Sequence, residues 1–452
     1  MAMQADEGGL TRSIRLRSAY ALVVANMIGA GIFTTTGFQA QALGDPVWIY
    51  ALWIVGGVLA LCGALSYSEL GAAMPRAGGE YVYLREAFGG AFAFMSALVS
   101  LTAGFSAPIA SALESAVRYA SHFVPVLAED RLVIGGLALN DLLAVALAWG
   151  LVGVHAVRVR AGIGFNDWIT AFKLAGIVAI LLAAAAFGSG DASRLLRASE
   201  TLAAPEGSAR LAALGTSLVF VMFCYSGWNA AAYLAGELRE PQRTLPRALL
   251  LGTGTVLALY LALNAVYFYG ASVDELAGKV EVGLVASRGL FGPAGVTATT
   301  VVLLVSLLAS ASAMTLAGPR VYWAAGRDHP SLRFLTATRA DGTPVRSLVL
   351  QGVVTTVVIL VGRVDQIMQY AGFTLSLFAS LAVSCVIVLR IRRPDLPRPF
   401  RTWGYPLPPL LFLAVSLWMM FFAFQGRPVE SSLGLLTVAV GGLAYLATRR
   451  RA

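Results

Sequence analysis

The sequence predicts an all-α membrane protein with twelve transmembrane helices, and composition, the length of apolar runs and the placement of charge all indicate it. Of the 452 residues, 58% are hydrophobic and 13% are charged, whereas soluble domains average about 25% charged residues. The apolar runs are close to the roughly 20 residues that a helix needs to cross a bilayer. They lack the alternating polarity of barrel strands, so only helices satisfy their backbone groups in lipid.

Twelve such runs, called spans 1 to 12 here, follow one another along the chain. Their approximate boundaries are 18–41, 46–70, 86–113, 138–157, 166–188, 211–236, 247–270, 294–319, 347–362, 366–390, 406–425 and 431–448. Segment 271–293, between spans 7 and 8, carries too many charges to cross the membrane and is predicted to form an outer amphipathic helix.

Positive charge sets the predicted orientation. Lys and Arg number 33 against 24 Asp and Glu, which gives a net charge of +9. With the N-terminus inside, inner loops and tails hold 23 basic residues and outer loops hold 9, which leaves Lys173 within span 5. Because basic residues concentrate in cytoplasmic loops, we predict a multi-pass protein of the cell membrane with both termini cytoplasmic. The charges lie in short loops rather than on one face, so nucleic acid is not an expected partner.

Several functional classes lack their sequence signals. The cysteines all lie within apolar runs, at Cys62, Cys224 and Cys385, so no disulfide framework is predicted. The histidines are too scattered for a local metal-binding motif, at His122, His155 and His329. No nucleophile or pair of carboxylates indicates an enzyme, and no ring of like charges indicates a channel. Neither a cofactor nor a cleavable leader is predicted, since the first apolar run is too long for a leader.

Spans 1 and 6 each contain an interruption. Residues 26–33 of span 1 include two glycines and precede three threonines, and residues 223–229 of span 6 place Ser, Gly and Asn among aromatic side chains. Gly costs about 1 kcal/mol relative to Ala in a helix, so both places are weak points. For either span alone, close helix packing explains the small residues equally well. Together they begin two blocks of five spans, and an odd number of spans inserts the second block in the opposite orientation.

Paired broken helices in an inverted repeat are the best sequence indication of a midplane substrate site in secondary transporters. Unwinding frees N–H groups, which suit a carboxylate because that helix end carries about +0.5 charge, and carbonyl groups, which suit an ammonium. A zwitterionic α-amino acid needs both. The predicted organisation is a cytoplasmic tail (1–17), a first repeat (18–190), an extracellular loop (191–210), a second repeat (211–390), a cytoplasmic loop (391–405), spans 11 and 12 (406–448) and a cytoplasmic tail (449–452).

Four motifs resemble one known family. MIGAGIF (27–33) resembles the first-helix signature of the amino acid–polyamine–organocation (APC) superfamily, and FVMFCYSGWNAAAYLAGELREPQRTLPRALL (220–250) is similar to the sixth helix and following loop of its L-type amino acid transporter branch. SYSELGAAMPRAGGEYVYLREAFG (66–89) resembles that branch's second loop, and GPRVYWAAGRD (318–328) the end of its eighth helix. The resemblance extends over about residues 15–400. It implies a helical bundle of the LeuT type that permeates or exchanges amino acids by alternating access.

The resemblance also implies where a substrate binds. The implied positions are Met27, Ile28, Gly29, Ala30, Gly31, Phe223, Cys224, Ser226, Gly227 and Asn229. The N–H groups of Ala30 and Gly31 would bind the carboxylate, and carbonyl groups of both breaks would bind the ammonium. Phe223 matches the aromatic residue that gates the site in the family, and Asn229 matches a polar residue near the substrate. Relatives often have Ser at position 30, so a hydroxyl is lost here while the N–H group remains.

Lys173 lies one or two turns inside span 5. A Lys at a helix centre costs about 2.5–3.5 kcal/mol on the insertion scale, so it should face the bundle. One explanation is that its ammonium reaches the cytoplasmic headgroups. The resemblance implies another, a fixed cation that holds spans 1 and 8 where related transporters hold sodium, and hence sodium-independent transport. Transfer of a coupled proton by this ammonium is the alternative.

The acidic residues considered near the membrane all fall close to span ends, at Glu69, Glu114, Asp141, Asp167 and Glu237. A cationic substrate side chain would need an acidic partner, so we predict neutral L-amino acids. The outer loop 114–137 contains no Cys, so we expect no disulfide-linked heavy chain of the kind found on animal relatives. A proton-coupled symporter, a cationic amino-acid or polyamine exchanger, and a non-transporting amino-acid sensor remain alternatives.

Overall fold

The computed structural model describes residue 12 and residues 14–76, 78–128, 132–134, 137–157, 159–339 and 343–449. Within these ranges lie seventeen α-helices, numbered α1 to α17 in chain order. They are α1 Leu16–Met27, α2 Ala30–Leu43, α3 Pro46–Ala73, α4 Glu80–Phe88, α5 Gly90–Val99, α6 Ala107–Ala120, α7 Leu139–Val157, α8 Val159–Phe187, α9 Gly207–Tyr225, α10 Ala230–Tyr233, α11 Pro241–Gly270, α12 Val273–Leu276, α13 Val282–Asp328, α14 Val345–Val361, α15 Val364–Arg392, α16 Leu407–Gly426 and α17 Pro428–Arg449.

A π-helical segment, four 3₁₀ helices and one β-hairpin accompany these elements in the described chain. The 3₁₀ helices are Pro125–Ala128, Ala192–Leu195, Ala235–Glu237 and Pro330–Thr336. A π-helical segment, Ser100–Ser106, joins α5 to α6, so that the two run on as one span. A short antiparallel hairpin of β1 (Leu132–Ile134) and β2 (Leu137–Ala138) precedes α7. The described chain is therefore almost entirely helical.

Eleven helical segments of the described chain are long and apolar enough to cross a bilayer, with α1 and α2 counted together and α5 and α6 counted together. The apolar helix α14, Val345–Val361, has 17 residues and falls below that length. At 1.5 Å per residue it is about 25 Å long, against a hydrocarbon core of roughly 30 Å. The prediction of an all-α multi-pass membrane protein is confirmed, with α14 at the position of predicted span 9.

The helix boundaries differ most from the sequence prediction in spans 6 and 8. Span 6 was expected to continue to residue 236, but α9 ends at Tyr225. Span 8 was expected over 294–319, but α13 extends from Val282 to Asp328 and bends sharply at Gly292, which has a φ of 64°. Half of the predicted outer amphipathic helix 271–293 is thus the first part of α13. Gly tolerates the positive φ without a steric cost, which allows the bend.

The most buried spans form the centre of the bundle. Within the apolar 18-residue stretch of span 1, 78% of residues are buried, and in the spans of α5–α6, α13 and α15 the buried shares are 67%, 61% and 61%. In the corresponding stretches of α16 and α17 only 33% and 17% of residues are buried. Their outward surface is apolar, which suits contact with lipid tails. The interrupted first span therefore lies at the centre, where a substrate site needs it.

A turn of defined chemistry joins the first two spans. Gly44 ends α2 in the left-handed conformation with a φ of 63°. The Asp45 side chain then accepts a hydrogen bond of 2.8 Å from the Val47 N–H, and Pro46 occupies the first helical position of α3. Gly is favoured just after a helix, Asp just before one, and Pro at the first helical position. These three residues therefore end α2 and begin α3, and the chain reverses direction between them.

A buried ion pair ties the loop after α15 to α3. The Glu69 carboxylate accepts two hydrogen bonds from Arg390, of 2.8 and 2.7 Å, and one of 2.7 Å from the Thr402 N–H. Arg398 lies 3.4 Å from the same carboxylate. Because Glu69 is only 2% exposed, its charge depends on these partners, and a buried carboxylate that loses its cations is costly.

Candidate functional site

The first span is unwound between α1 and α2. Ile28 adopts φ −76° and ψ 92°, and Gly29 adopts φ −127° and ψ −157°, so both leave helical geometry. Ala30 and Gly31 begin α2. The first N–H groups of a helix have no partner within it, so these two residues present their N–H groups at the break. That these groups bind a carboxylate stays a prediction.

The second break lies after α9. Ser226 adopts ψ 146° and Gly227 has a φ of 96°, before a short helix resumes at Ala230. A Cβ atom at Gly227 would lie 3.1 Å from the backbone C and O atoms of Asn26. Positive φ and the close approach of α1 therefore both require glycine at this position.

The two breaks face each other. A Cβ atom at Gly31 would lie 2.4 Å from the Cys224 Sγ atom and 3.1 Å from its Cα atom. The Tyr260 hydroxyl of α11 lies 2.5 Å from the Met27 carbonyl oxygen and 2.9 Å from that of Cys224. One tyrosine therefore contacts a carbonyl group of each break, a role that its position inside an apolar run did not reveal.

The resemblance implied that the carbonyl groups of Met27, Phe223, Cys224 and Ser226 bind an ammonium, and the first three contact hydrogen-bond donors of the protein. Besides Met27 and Cys224, the Phe223 carbonyl accepts from the Ser226 N–H at 3.0 Å and from its hydroxyl at 2.6 Å. The Tyr260 hydroxyl has one hydrogen, so it donates to the Met27 or the Cys224 carbonyl at any one time. Each of these oxygens has two lone pairs and keeps capacity for a further donor.

Lys173 is fully buried and contacts the first break. Its Nζ atom donates to the Ala25 carbonyl at 2.9 Å and to the Ile28 carbonyl at 2.6 Å. The ammonium therefore occupies the end of α1, where helical carbonyl groups lack partners. Its hydrogen bonds go to span 1; the contact with span 8 that the sequence suggested is not among them.

A cavity of about 450 Å³ adjoins the breaks. Five residues of the two breaks line it: Asn26, Ser226, Gly227, Trp228 and Asn229. Its remaining walls come mainly from α1, the Ser100–Ser106 segment, α13 and α15, including Phe105 and Met314. The predicted positions 27–31, Phe223 and Cys224 do not line the cavity in this structure; Met27, Ala30, Phe223 and Cys224 are 2% to 6% exposed. Ser226, Gly227 and Asn229 are the predicted positions that line it.

A carboxyl group that the sequence reasoning missed also lines the cavity. Glu80, the first residue of α4, is 5% exposed, and its Oε2 atom accepts from the Tyr67 hydroxyl and from Asn229 Nδ2, both at 3.0 Å. Burial raises the pKa of the Glu80 carboxyl, and hydrogen bonds from Tyr67, Tyr233 and Asn229 oppose this shift. Glu80 follows Gly78 and Gly79 in a loop-like stretch outside the apolar runs, which gave no sign of its burial.

The cavity is open on the α1 side. Its rim includes Ile14, Glu237 and Arg320, and no residue of α2 lines it. On the α2 side the Tyr119 hydroxyl donates to the Phe33 carbonyl at 2.8 Å and accepts from the Gly283 N–H at 3.1 Å, across three elements. The Gly278 N–H donates to the Gly37 carbonyl at 2.9 Å. The structure is thus open on one side and closed on the other.

A family model described as amino acid permease matches residues 14–444, almost the whole chain. The chain belongs to the amino acid permease family. The resemblance to the APC superfamily, and to its L-type branch, is confirmed. The protein is a multi-pass membrane permease that transports amino acids.

Curated relatives match the permease over nearly its full length. The b(0,+)-type amino acid transporter 1 of Mus musculus is 27% identical, over 96% of this chain and 87% of the relative. The serine/threonine exchanger SteT of Bacillus subtilis (strain 168) is 26% identical, over 99% of both chains. The large neutral amino acids transporter small subunit 2 of Rattus norvegicus is 28% identical, over 98% of this chain and 82% of the relative.

Proposed function

We propose that this permease exchanges neutral L-amino acids across the plasma membrane, or inner membrane, by alternating access and without sodium. The observation that carries the proposal is the pair of unwound segments that face each other beside a cavity open on one side. Backbone N–H groups of Ala30 and Gly31 suit a carboxylate, and nearby carbonyl groups suit an ammonium. This arrangement recognises the part that all amino acids share.

Lys173 supports sodium independence. Its ammonium lies 2.9 Å and 2.6 Å from two carbonyl oxygens at the unwound end of α1. Backbone carbonyl groups at such ends are the ligands that sodium-coupled transporters use for their cation. A covalently attached cation at the same place supplies the positive charge that an ion would otherwise bring.

We place both termini in the cytoplasm, because the loops and tails on the α1 side hold 23 of the 33 basic residues. In this orientation the cavity opens inward. We also propose that residues 18–190 and 211–390 form a LeuT-type inverted repeat of five spans each, since the two breaks begin the two blocks. A rocking motion between the blocks would close the inner side and open the side where Tyr119 now bridges Phe33 and Gly283.

Two observations support neutral substrates, and a third supports a chain that works without a disulfide-linked partner. The Oε2 atom of Glu80, which lines the cavity, already accepts hydrogen bonds from Tyr67 and Asn229 and so is engaged within the protein. The names of two relatives refer to neutral substrates, serine and threonine in one and large neutral amino acids in the other. The outer loop 114–137 contains no Cys.

Competition in proteoliposomes tests the substrate class. Labelled alanine uptake into alanine-loaded vesicles should fall with excess unlabelled alanine or leucine, and excess arginine should leave most of it. The reason is that a cationic side chain needs an unpaired acidic group to replace its water. Inhibition by arginine equal to that by alanine would favour a cationic amino-acid exchanger. Specific alanine binding to the detergent-solubilised protein with no flux into vesicles would favour a sensor.

A further inference from the structure

The amide of Asn229 is held in one orientation. Its Nδ2 atom donates to the Glu80 Oε2 atom at 3.0 Å and to the Tyr233 hydroxyl at 3.1 Å. An amide nitrogen has two hydrogens, so both are used. An ionised carboxylate only accepts hydrogen bonds, and so Glu80 selects the orientation in which the Asn229 nitrogen, rather than its oxygen, faces α4.

The Asn229 Oδ1 atom is consequently the free end of the amide. Asn229 lines the cavity. Its Oδ1 atom accepts no hydrogen bond from the described chain, and it is not among the buried polar atoms that lack a partner. An acceptor that is neither bonded nor buried must be exposed to the cavity, two to three residues from the unwound Ser226 and Gly227.

We propose that Glu80 is a positioning residue for substrate specificity: it presents the Asn229 Oδ1 atom as a hydrogen-bond acceptor to the side chain of the transported amino acid. The permease would then prefer neutral amino acids whose side chain carries a hydroxyl group over apolar amino acids of the same shape. This inference rests on the proposed function, since it needs the amino-acid backbone to be bound at the two breaks.

The preference follows from the cost of an unpaired acceptor. A hydroxyl on the substrate can donate to Oδ1, whereas a methyl group at the same position would cover Oδ1 and leave it without a donor. Sites that bind a substrate hydroxyl discriminate against the analogue lacking it more strongly than apolar pockets discriminate by size. For one neutral acceptor we expect a preference of about tenfold.

Two pairs of nearly isosteric amino acids test the inference: threonine with valine, and serine with 2-aminobutyrate. Each would compete for labelled alanine exchange in proteoliposomes, and the ratio of the two inhibition constants within a pair is the readout. In the wild-type protein the hydroxylated member should inhibit about tenfold more tightly. In Glu80→Gln the side chain at 80 can donate as well as accept, so the amide of Asn229 loses its fixed orientation and the ratio should fall to about two or below.

Matched substitutions separate orientation from charge and from folding. Glu237→Gln removes the other carboxyl of the cavity, which makes no hydrogen bond to Asn229, and should keep the full ratio. Glu80→Asp keeps a carboxylate, which only accepts hydrogen bonds, and should keep part of the wild-type ratio that Glu80→Gln loses. In all variants the maximal alanine exchange rate reports whether the protein is intact. A merely structural role for Glu80 would lower that rate and leave the ratio unchanged.

The ratio should also depend on pH. Burial raises the pKa of Glu80, and the protonated carboxyl becomes a donor, so the preference should weaken as the pH falls through that pKa. The titratable side chains that face Glu80 are Tyr67 of α3, Tyr83 of α4 and Tyr233 of α10, with Cys385 of α15 beside Tyr83 and with Glu237 and Arg320 on the same cavity. Tyr and Cys ordinarily ionise at about 8.5 to 10, so a response in the acid range that persists in Glu237→Gln belongs to Glu80.

The outcomes overturn different statements. Equal inhibition within both pairs, in a wild-type protein that exchanges alanine, would overturn this inference and leave the proposed exchange intact. An unchanged ratio in Glu80→Gln would overturn the role of Glu80 in setting it. Absence of any neutral amino-acid exchange by the wild type would overturn the proposed function itself.

Discussion

The substitution Gly227→Ala is expected to lower amino-acid exchange by at least about tenfold in a protein that still folds. A side chain at this position meets two obstacles. The φ of 96° disfavours any residue with a Cβ atom, and that atom would lie 3.1 Å from the Asn26 backbone. Backbone strain of this kind costs on the order of 1–3 kcal/mol. Since Asn26 precedes the break in α1, relief of the strain must move the two unwound segments apart.

Exchange of labelled alanine in proteoliposomes, together with the unfolding temperature of the detergent-solubilised protein, measures this effect. The matched control is Gly254→Ala in α11, where a Cβ atom would meet no other atom within 4 Å. That substitution should retain exchange and gain up to about 1 kcal/mol in helix stability. Equal exchange by both variants would show that the close approach of Gly227 to α1 is unimportant for transport.

The substitution Lys173→Met is expected to have the second large effect, a loss of at least about tenfold in exchange. Methionine fills a similar volume but cannot donate, so the Ala25 and Ile28 carbonyl groups would lose their hydrogen bonds inside the protein. Each buried acceptor left unpaired costs about 1–3 kcal/mol. The end of α1 would then no longer be held in the unwound geometry that the substrate requires.

Lys279→Met is the control, because Lys279 is the other lysine of the chain and lies exposed in the segment after α12. It should exchange alanine at nearly the wild-type rate. The initial rate of exchange and the half-saturating alanine concentration should be measured for both variants. A Lys173→Met protein with wild-type values would mean that the ammonium serves only to fill the bundle.

The sequence predicted the elements whose chemistry is local. Gly29 and Gly31 marked the break in span 1 because a helix with two glycines and little else to stabilise it is weak. Lys173 was expected to face the bundle because its charge is costly in lipid, and it does so. The family and the membrane class followed from motifs and composition that need no knowledge of packing.

Long-range contacts could not be predicted in the same way. The burial of Glu80 depends on Tyr67, thirteen positions earlier, and on Asn229, 149 positions later, which meet only in the folded bundle. Tyr260 looked like any aromatic residue of an apolar run, although its hydroxyl contacts both breaks. Absence of an acid from the apolar runs was therefore an incomplete guide to the cavity.

Helix ends were predicted less well than helix centres. Span 6 appeared apolar through residue 236, yet α9 ends at Tyr225 because Gly227 takes a positive φ beside α1. Hydropathy does not report such a turn, since Ser, Gly and Ala are tolerated in helices and in turns alike. The kink at Gly292 in α13, in contrast, lies at the predicted boundary between segment 271–293 and span 8, which the charges of that segment marked.

The most direct test of sodium-independent exchange compares labelled alanine uptake into proteoliposomes that are empty or loaded with unlabelled alanine, in choline buffer without sodium. We expect rapid uptake into loaded vesicles and little into empty ones, with no increase when sodium replaces choline, because Lys173 already provides the cation at the unwound end of α1. Uptake that requires sodium would contradict the account. Accumulation in empty vesicles driven by an inward proton gradient would also contradict it, and would assign proton symport instead.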